Sequence, residues 1–554
     1  MQWGGNMKAG LKLTAATMLL ACLPSDARHA FAWQVDTSPT ETAVVEAVRS
    51  GASLEKDRNW LEAIEHYEDS LKTWKSNEDL KYGLRRSKIH FGIDRRYSDR
   101  SFKRALVVKS RNEALTLFDD VFTKIRDNYV QSVSSTAFIA HGTESLYMAL
   151  ANERFVQYTV PSATKQQLSN FRKLLLKNYW NRRVSESFMA RETISEVCNA
   201  ANRELGLSAG PIVMEYLFGG CNSLDDYSNF LTADRLSDLY GNIDGEFVGL
   251  GIEMKGEKGE GLHLVNVLPG SPAERGGMRR GDYIISINGR DCREMSTDDA
   301  AHLLRGPSGS TVALGLRNAG RTRQGEFTRR AVQVKSIPLA TMVDKSYGIG
   351  YLRMTGFQKT TTEELDQALA KLEGQGMRAL IWDLRNNPGG LLDTAASVLD
   401  RFIDNGIVVS TEGRVRDQNQ SFTAQSFHTR DMPIVLLVDD GSASASEIVA
   451  GAVRDYRRGT IVGTKTYGKW SVQSIFPIRE STGLRLTTAK FYSPHHHNYA
   501  KIGVEPDVKV EEYSVAFRGE KPPKSLPYRA SELAGDAYVE KGLEILRSKG
   551  LVRK

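Results

Sequence analysis

From residue 348 onward the chain alternates short apolar runs with amphipathic stretches, and glycine-rich turns mark the junctions. Residues 349–354, 379–384, 434–438 and 460–462 carry strand-like apolar runs, while 363–372, 391–402 and 445–456 have helical spacing. That layout restricts this part of the chain to an α/β architecture, with its strand-to-helix turns at 386–390 and 441–444. Such turns are where backbone N–H groups are presented to a ligand, so function is sought there first.

The regions before it differ. With 554 residues the chain exceeds the ~250–300 at which single cores stop growing, so several domains are expected. Residues 59–74 (NWLEAIEHYEDSLKTW) place Trp60, Ala63, Ile64, Tyr67 and Leu71 on one helical face. With Gly51, the Ala63/Tyr67/Ser70 spacing resembles one tetratricopeptide repeat; a plain helical hairpin is the other reading, since only one copy is visible. Helices are expected at 114–129 and 137–150, followed by a polar helical insertion at 152–210, a resumed unit at 212–230 and a short helix at 224–231. At Gly245 the pattern changes to strands and glycine turns, with strands at 262–267, 283–287 and 311–316 and a helix at 297–304.

The N-terminus carries an address. Lys8 and Lys12 precede the apolar run 13–23, and Ala30-Phe31-Ala32 offers a cleavage site before Trp33, as in a secretory signal peptide. Leu19-Leu20-Ala21-Cys22 also resembles a lipobox, so lipidation of Cys22 stands as the second reading and as the single route to membrane association. Cys198, Cys221 and Cys292 remain; an oxidising compartment permits a Cys198–Cys221 disulfide, and three separate thiols are the alternative. The net charge of +7 comes from 74 basic and 67 acidic residues, interleaved, with no basic stripe that would bind nucleic acid.

Serine needs a base to become a nucleophile. None of the ten histidines lies near the run Ser442-Ala-Ser444-Ala-Ser446, and His495-His496-His497 reads as a solvated turn. A lysine serves as base only if burial lowers its pKa from ~10.4 to about 7. Lys469 has Tyr467 and Trp470 beside it and an alternating strand at 472–475, whereas Lys465 has polar neighbours. A serine heading the helix at 445 would have the free N–H of Ala445 and the positive helix end beside it. Gly390 can present a second N–H, and Gln473 is placed to hold the lysine amine.

Two resemblances sharpen this. GLGI (249–252), SPAERGGMRRGD (271–282), ING (287–289) and RGPSGSTV (305–312) occur in the order seen in a PDZ domain. That implies a peptide added as an extra strand, with Gly249, Leu250, Gly251 and Ile252 around its terminal carboxylate. DLRNNPGG (383–390), GSASASEIVA (441–450), GTKTYGKWSVQ (463–473) and KIGVEPDV (501–508) resemble the carboxy-terminal processing proteases, over about 115–510, and LDDYSNFL (224–231) and GEFVGLGIE (245–253) fit the same resemblance.

The chain is then expected to be multidomain α+β: signal 1–32, tetratricopeptide-like leader 37–110, helical domain 111–244 with the insertion, PDZ 245–335, protease core 336–512 and a helical tail 513–554. The resemblance implies the PDZ domain and a crotonase-like α/β core, while the leader and the 152–210 insertion are extra to the family pattern. The resemblance also implies a serine endopeptidase with a Ser/Lys dyad and no metal or organic cofactor. The middle serine, Ser444, is then the nucleophile, and Lys469, 25 positions on, the base. Gln473 is the supporting glutamine, Gly390 and Ala445 are the oxyanion donors, and Arg305 is a gating residue for the PDZ domain. Expected partners are protein substrates with free C-termini, an adaptor on the leader and further copies in a homo-oligomer. The expected location is the periplasm or cell envelope. The alternative is a PDZ scaffold with a decayed protease core. Trp470 stands where the family often has glycine, either narrowing or drying the lysine pocket.

Overall fold

The computed structural model describes residues 39–295, 297–425, 429–510 and 529–549. The expected signal segment, with Cys22 and Trp33, lies outside the described residues, as does the first part of the 513–554 tail. The chain divides into two compact units between Phe91 and Gly92.

The first unit contains the helices Pro39–Lys56 and Trp60–Thr73 and the start of Glu78–Ser98. Its core forms on Ala63, Tyr67 and Leu80. A Cβ at either Gly51 or Gly83 would come within 2.3 Å of the Tyr67 ring, so glycine is what lets the neighbouring helices close on it. The Tyr67 hydroxyl donates to Glu55 at 2.7 Å, and Arg86 pairs with the same carboxylate at 2.5 Å.

The second unit opens with helices. Ser110 caps Arg111–Asn128 through a capping box with Glu113. Ser135–Ala149 packs on Ala209–Cys221, with Gly142 against the Tyr216 ring. Residues 152–210 between them contribute the helices Glu153–Thr159, Lys165–Asn178 and Ser187–Leu205. Cys198, Cys221 and Cys292 are buried free thiols, so of the two readings the separate thiols hold and no Cys198–Cys221 bond is formed. The segment read as a helix at 224–231 is instead a turn and a strand, Asn229–Leu231. That strand pairs antiparallel with Gly483–Tyr492, setting Asn229 opposite Arg485.

The glycine-rich module follows. Strands Ile252–Glu257, Gly261–Val267, Tyr283–Ile287, Thr311–Asn318 and Arg321–Thr328 lie in that order in one sheet, leaving Ile252–Glu257 at an edge. The helix Thr297–Leu304 runs beside this edge, and the Thr297 hydroxyl accepts from the Gly256 N–H at 3.0 Å. Entry and exit strands, Glu246–Gly249 and Arg330–Gln333, pair with each other at the module's neck.

The last region is built on a six-stranded sheet. Its order is Leu339–Asp344, Ile349–Arg353, Ala379–Asp383, Ile434–Val438, Thr460–Gly463 and Val508–Lys509, parallel except for the first strand. The central strands are buried along their whole length, because helices cover both faces. Thr361–Gly374, Leu392–Leu399 and Ala445–Asp455 pack on one face. The C-terminal helix Ala537–Ser548 packs on the other, setting Tyr538, Val539, Leu543 and Leu546 against Tyr351, Ile381, Val435 and Leu437. A second, antiparallel sheet carries Ser471–Pro477, Gly483–Tyr492, Gly406–Gly413 and Gln420–Ala424.

Candidate active site

The strand Ile434–Val438 ends in a turn that delivers Ser444 to the first position before the helix Ala445–Asp455. Ser444 has φ 57° and ψ −115°, a conformation that costs an L-residue about 1–3 kcal/mol and is kept only where its surroundings over-determine it. Those surroundings are well defined. The Ser442 hydroxyl is buried and donates to the Leu384 carbonyl at 2.8 Å; that of Ser446 donates to the Asn387 carbonyl at 2.9 Å. Ser444 alone of the three is partly exposed.

One carboxylate joins this turn to the lysine loop. Glu447 is fully buried, and its Oε2 accepts from the N–H of Ser444 at 3.0 Å and the N–H of Lys469 at 2.7 Å. Its Oε1 accepts from the Gly468 N–H and the Thr466 hydroxyl, both at 2.7 Å. A further bond runs from the Tyr467 N–H to the Ser442 carbonyl at 3.1 Å. Four donors converging on one buried carboxylate hold the two loops in a single arrangement.

Burial pushes the Lys469 amine down to about 8, helped by the nearby positive charge of Arg485 and opposed by Glu447 and Asp225. The amine lies over the Tyr227 ring, 4.9 Å from its centroid. A lysine so poised is neutral in a useful fraction of molecules near neutral pH, as a general base must be. No hydrogen bond joins its amine to the Ser444 hydroxyl.

The Asn386–Gly390 turn packs directly against the serine. A Cβ on Gly389 would lie 2.7 Å from each of Ala443 O, Ala445 N and Ser444 Cβ. Gly390 has φ +152°, and its Cβ would fall 2.1 Å from the Phe357 carbonyl, so both positions require glycine. The N–H groups of Gly390 and Ala445 donate to no protein group among the described residues. The turn is held from both sides. Asn387 donates to the Met354 carbonyl at 2.9 Å, Asp439 accepts from the Asn386 N–H at 2.8 Å, and Arg385 binds Asp383 at 2.6 Å and Asp536 at 2.9 Å.

Residues 348–510 match peptidase family S41 and residues 263–318 match the PDZ domain. A carboxyl-terminal-processing protease from Synechocystis sp. is 36% identical over 314 residues, covering 56% of this chain and 73% of that protein. The chain belongs to the carboxyl-terminal-processing proteases. A second member, from Bartonella bacilliformis, is 38% identical over 297 residues, or 52% of this chain and 67% of that one. A solved photosystem II D1 C-terminal processing protease is 25% identical, covering 72% of this chain and 93% of that one, with a TM-score of 0.40.

The remaining expected site residues of this carboxyl-terminal-processing protease are distributed as follows. Gln473 directs its amide nitrogen to the Ser471 carbonyl (3.1 Å) and hydroxyl (2.9 Å) and to the Thr487 hydroxyl (3.4 Å); no hydrogen bond joins it to Lys469. Trp470 is core, packed on Gly451, Phe491 and Tyr499. Lys465 is exposed and faces Glu505 at 3.8 Å. Gly249, Leu250, Gly251 and Ile252 connect the neck strand to the edge strand, with the Leu250 and Gly251 carbonyls taken by the N–H groups of Ala273 and Leu268. Arg305 pairs at 2.5 Å with Asp238 on the helix Ala233–Asp244. His495 and His497 face Asp455 at 3.9 and 3.6 Å, and His496 faces Glu412 at 3.6 Å.

Sequence reasoning missed Glu447, although Ser444-x-x-Glu447 has capping-box spacing and was there to be read. Asp225 and Tyr227 lie in LDDYSNFL (224–231), which fits the family but carried no sign of a link to the lysine. Arg485 had no signal at all, because a strand pairing between segments more than 250 residues apart brings these residues to Lys469.

Proposed function

We propose that the protein is an envelope or periplasmic endopeptidase that engages the free C-termini of proteins through its PDZ domain and cuts with a Ser444/Lys469 dyad. The observation that carries this reading is the buried Glu447 carboxylate bonded to the N–H groups of both residues, beside a lysine whose amine is desolvated. Ser444 Oγ attacks the scissile carbonyl while its proton passes to the Lys469 amine. The N–H groups of Gly390 and Ala445 stabilise the oxyanion, and the lysine returns the proton to the leaving amine. Water then hydrolyses the acyl-enzyme by the same route. Gln473 acts here as a support of the lysine strand.

The edge strand Ile252–Glu257, with the helix Thr297–Leu304 alongside it, supports strand addition by an extended peptide. The Arg305–Asp238 pair supports a gate that responds to that peptide. The parallel sheet with helices on both faces supports a crotonase-like core. Secretion through the 1–32 signal, lipidation at Cys22 as its variant, an adaptor on the leader and a homo-oligomer complete the reading.

The test is cleavage of an unstructured protein, with a free or an amidated C-terminus, by wild type and by Ser444→Ala. Cleavage by wild type alone, faster with the free terminus, is expected. Equal cleavage by both proteins refutes the nucleophile, and none by either favours the scaffold. Equal rates on the two substrates refute tail recognition.

A further inference from the structure

Part of the wall around Lys469 comes from outside the four protease motifs. Tyr227 belongs to the segment that joins the helical region to the strand Asn229–Leu231. Three hydrogen bonds fix that segment. Arg485 Nε donates to the Tyr227 carbonyl at 3.0 Å, the Tyr227 N–H donates to Asp225 at 2.9 Å, and the Thr487 N–H donates to the Ser228 hydroxyl at 3.0 Å. Burial and the neighbouring Tyr467, two residues before the lysine, push the Tyr227 hydroxyl up. The backbone that carries the ring beneath the Lys469 amine is therefore fixed before and after Tyr227.

The charged and titratable groups facing the amine are Arg485, Glu447 and Asp225, with the ring of Tyr227 over it. Glu447 and Asp225 favour the ammonium, as does a π face. Arg485 is the one facing cation among the described residues. It is largely buried, so water screens it little.

We propose that Tyr227 and Arg485 are positioning residues for Lys469: the ring sets where the amine lies, and the guanidinium disfavours its protonated form. The helical region is thereby part of the active site and not merely an attachment to it. The inference rests on Lys469 being the base.

The experiment uses the full chain and an unstructured protein substrate, with kcat and KM measured from pH 6 to 10. Arg485→Met should move the acid limb of kcat/KM up by about one pH unit, while Arg485→Lys keeps it in place. Asp225→Asn, which preserves shape, should move the limb the other way. Tyr227→Ala should lower kcat about tenfold with KM within about twofold, and Tyr227→Phe should remain near wild type. A wild-type limb in folded Arg485→Met, or in Asp225→Asn should the methionine variant not fold, overturns the electrostatic role. Wild-type kcat in Tyr227→Ala overturns the positioning role. Lys469→Ala separates the two levels: if it stays active the dyad itself fails, whereas if it is inactive and the limbs do not move, only this inference fails.

Discussion

Glu447 is where removing one side chain has the widest consequence. Its carboxylate is fully buried and accepts from the N–H groups of Ser444, Gly468 and Lys469 and from the Thr466 hydroxyl. Glu447→Ala leaves four donors unpaired at about 1–3 kcal/mol each, or about 4–12 kcal/mol against a typical total of ~5–15. That variant should not hold a folded core at 37 °C. Glu447→Gln is milder. Its amide oxygen keeps the Ser444 and Lys469 bonds and its amide nitrogen donates to the Thr466 oxygen, but the Gly468 N–H and the Thr466 O–H both lose their acceptor, costing about 2–6 kcal/mol. The electrostatic effect has the opposite sense for catalysis. The Glu447 charge favours the ammonium of Lys469, so its removal lowers the lysine further below its wild-type value of about 8. Activity in Glu447→Gln should therefore persist to lower pH, although the protein is less stable. Urea unfolding followed by fluorescence of the buried Trp382 and Trp470, together with a kcat/KM profile against pH, measures both effects. A loss under about 1 kcal/mol in Glu447→Ala, or an acid limb that moves upward in Glu447→Gln, refutes the role assigned to this carboxylate.

Three more outcomes follow from the same geometry. The folded pKa of Lys469, about 8, lies below its usual 10.5, so the unfolded chain binds more protons between those values. The burial cost is therefore full below pH 8 and vanishes above 10.5. Lys469→Met should gain about 2 kcal/mol at pH 7, after discounting for partial exposure, and nothing above pH 10.5, read from denaturation across that range. Ser444 sits at φ 57°, so Ser444→Gly should be more stable than Ser444→Ala by about 1–2 kcal/mol in thermal unfolding, with both inactive. Gly389→Ala drives a methyl into the Ser444–Ala445 turn and should lower kcat by at least about a hundredfold, measured on the same substrate.

Much of this arrangement was legible because its signals are local. The buried run Ile434–Val438 and the elements Tyr283–Ile287 and Thr297–Leu304 have the bounds their apolar pattern and glycine turns suggest. The serine turn was visible for the same reason, since a small-residue run between strand and helix leaves few other outcomes. What escaped depends on partners distant in sequence. The Leu/Tyr/Phe/Leu spacing at 224–231 fits a helix, yet pairing with Gly483–Tyr492 makes Asn229–Leu231 a strand. Leu339–Asp344, Gly406–Gly413 and Gln420–Ala424 are likewise strands because of what they pair with. Cys198 and Cys221 sit on neighbouring helices, which left a disulfide and separate thiols both open in the sequence; they are buried as separate thiols. Trp470 had two readings beside the lysine; its packing beneath Gly451 assigns it to the core.

The central claim is that Ser444, activated by Lys469, is the nucleophile. Labelling the protein with a serine-directed fluorophosphonate and mapping the adduct by mass spectrometry, as a function of pH, tests it most directly. A single adduct on Ser444 is expected, forming faster as pH rises through about 8 and lost in Lys469→Ala. An adduct on Ser442 or Ser446, or labelling of Ser444 that ignores both pH and the lysine, would contradict it.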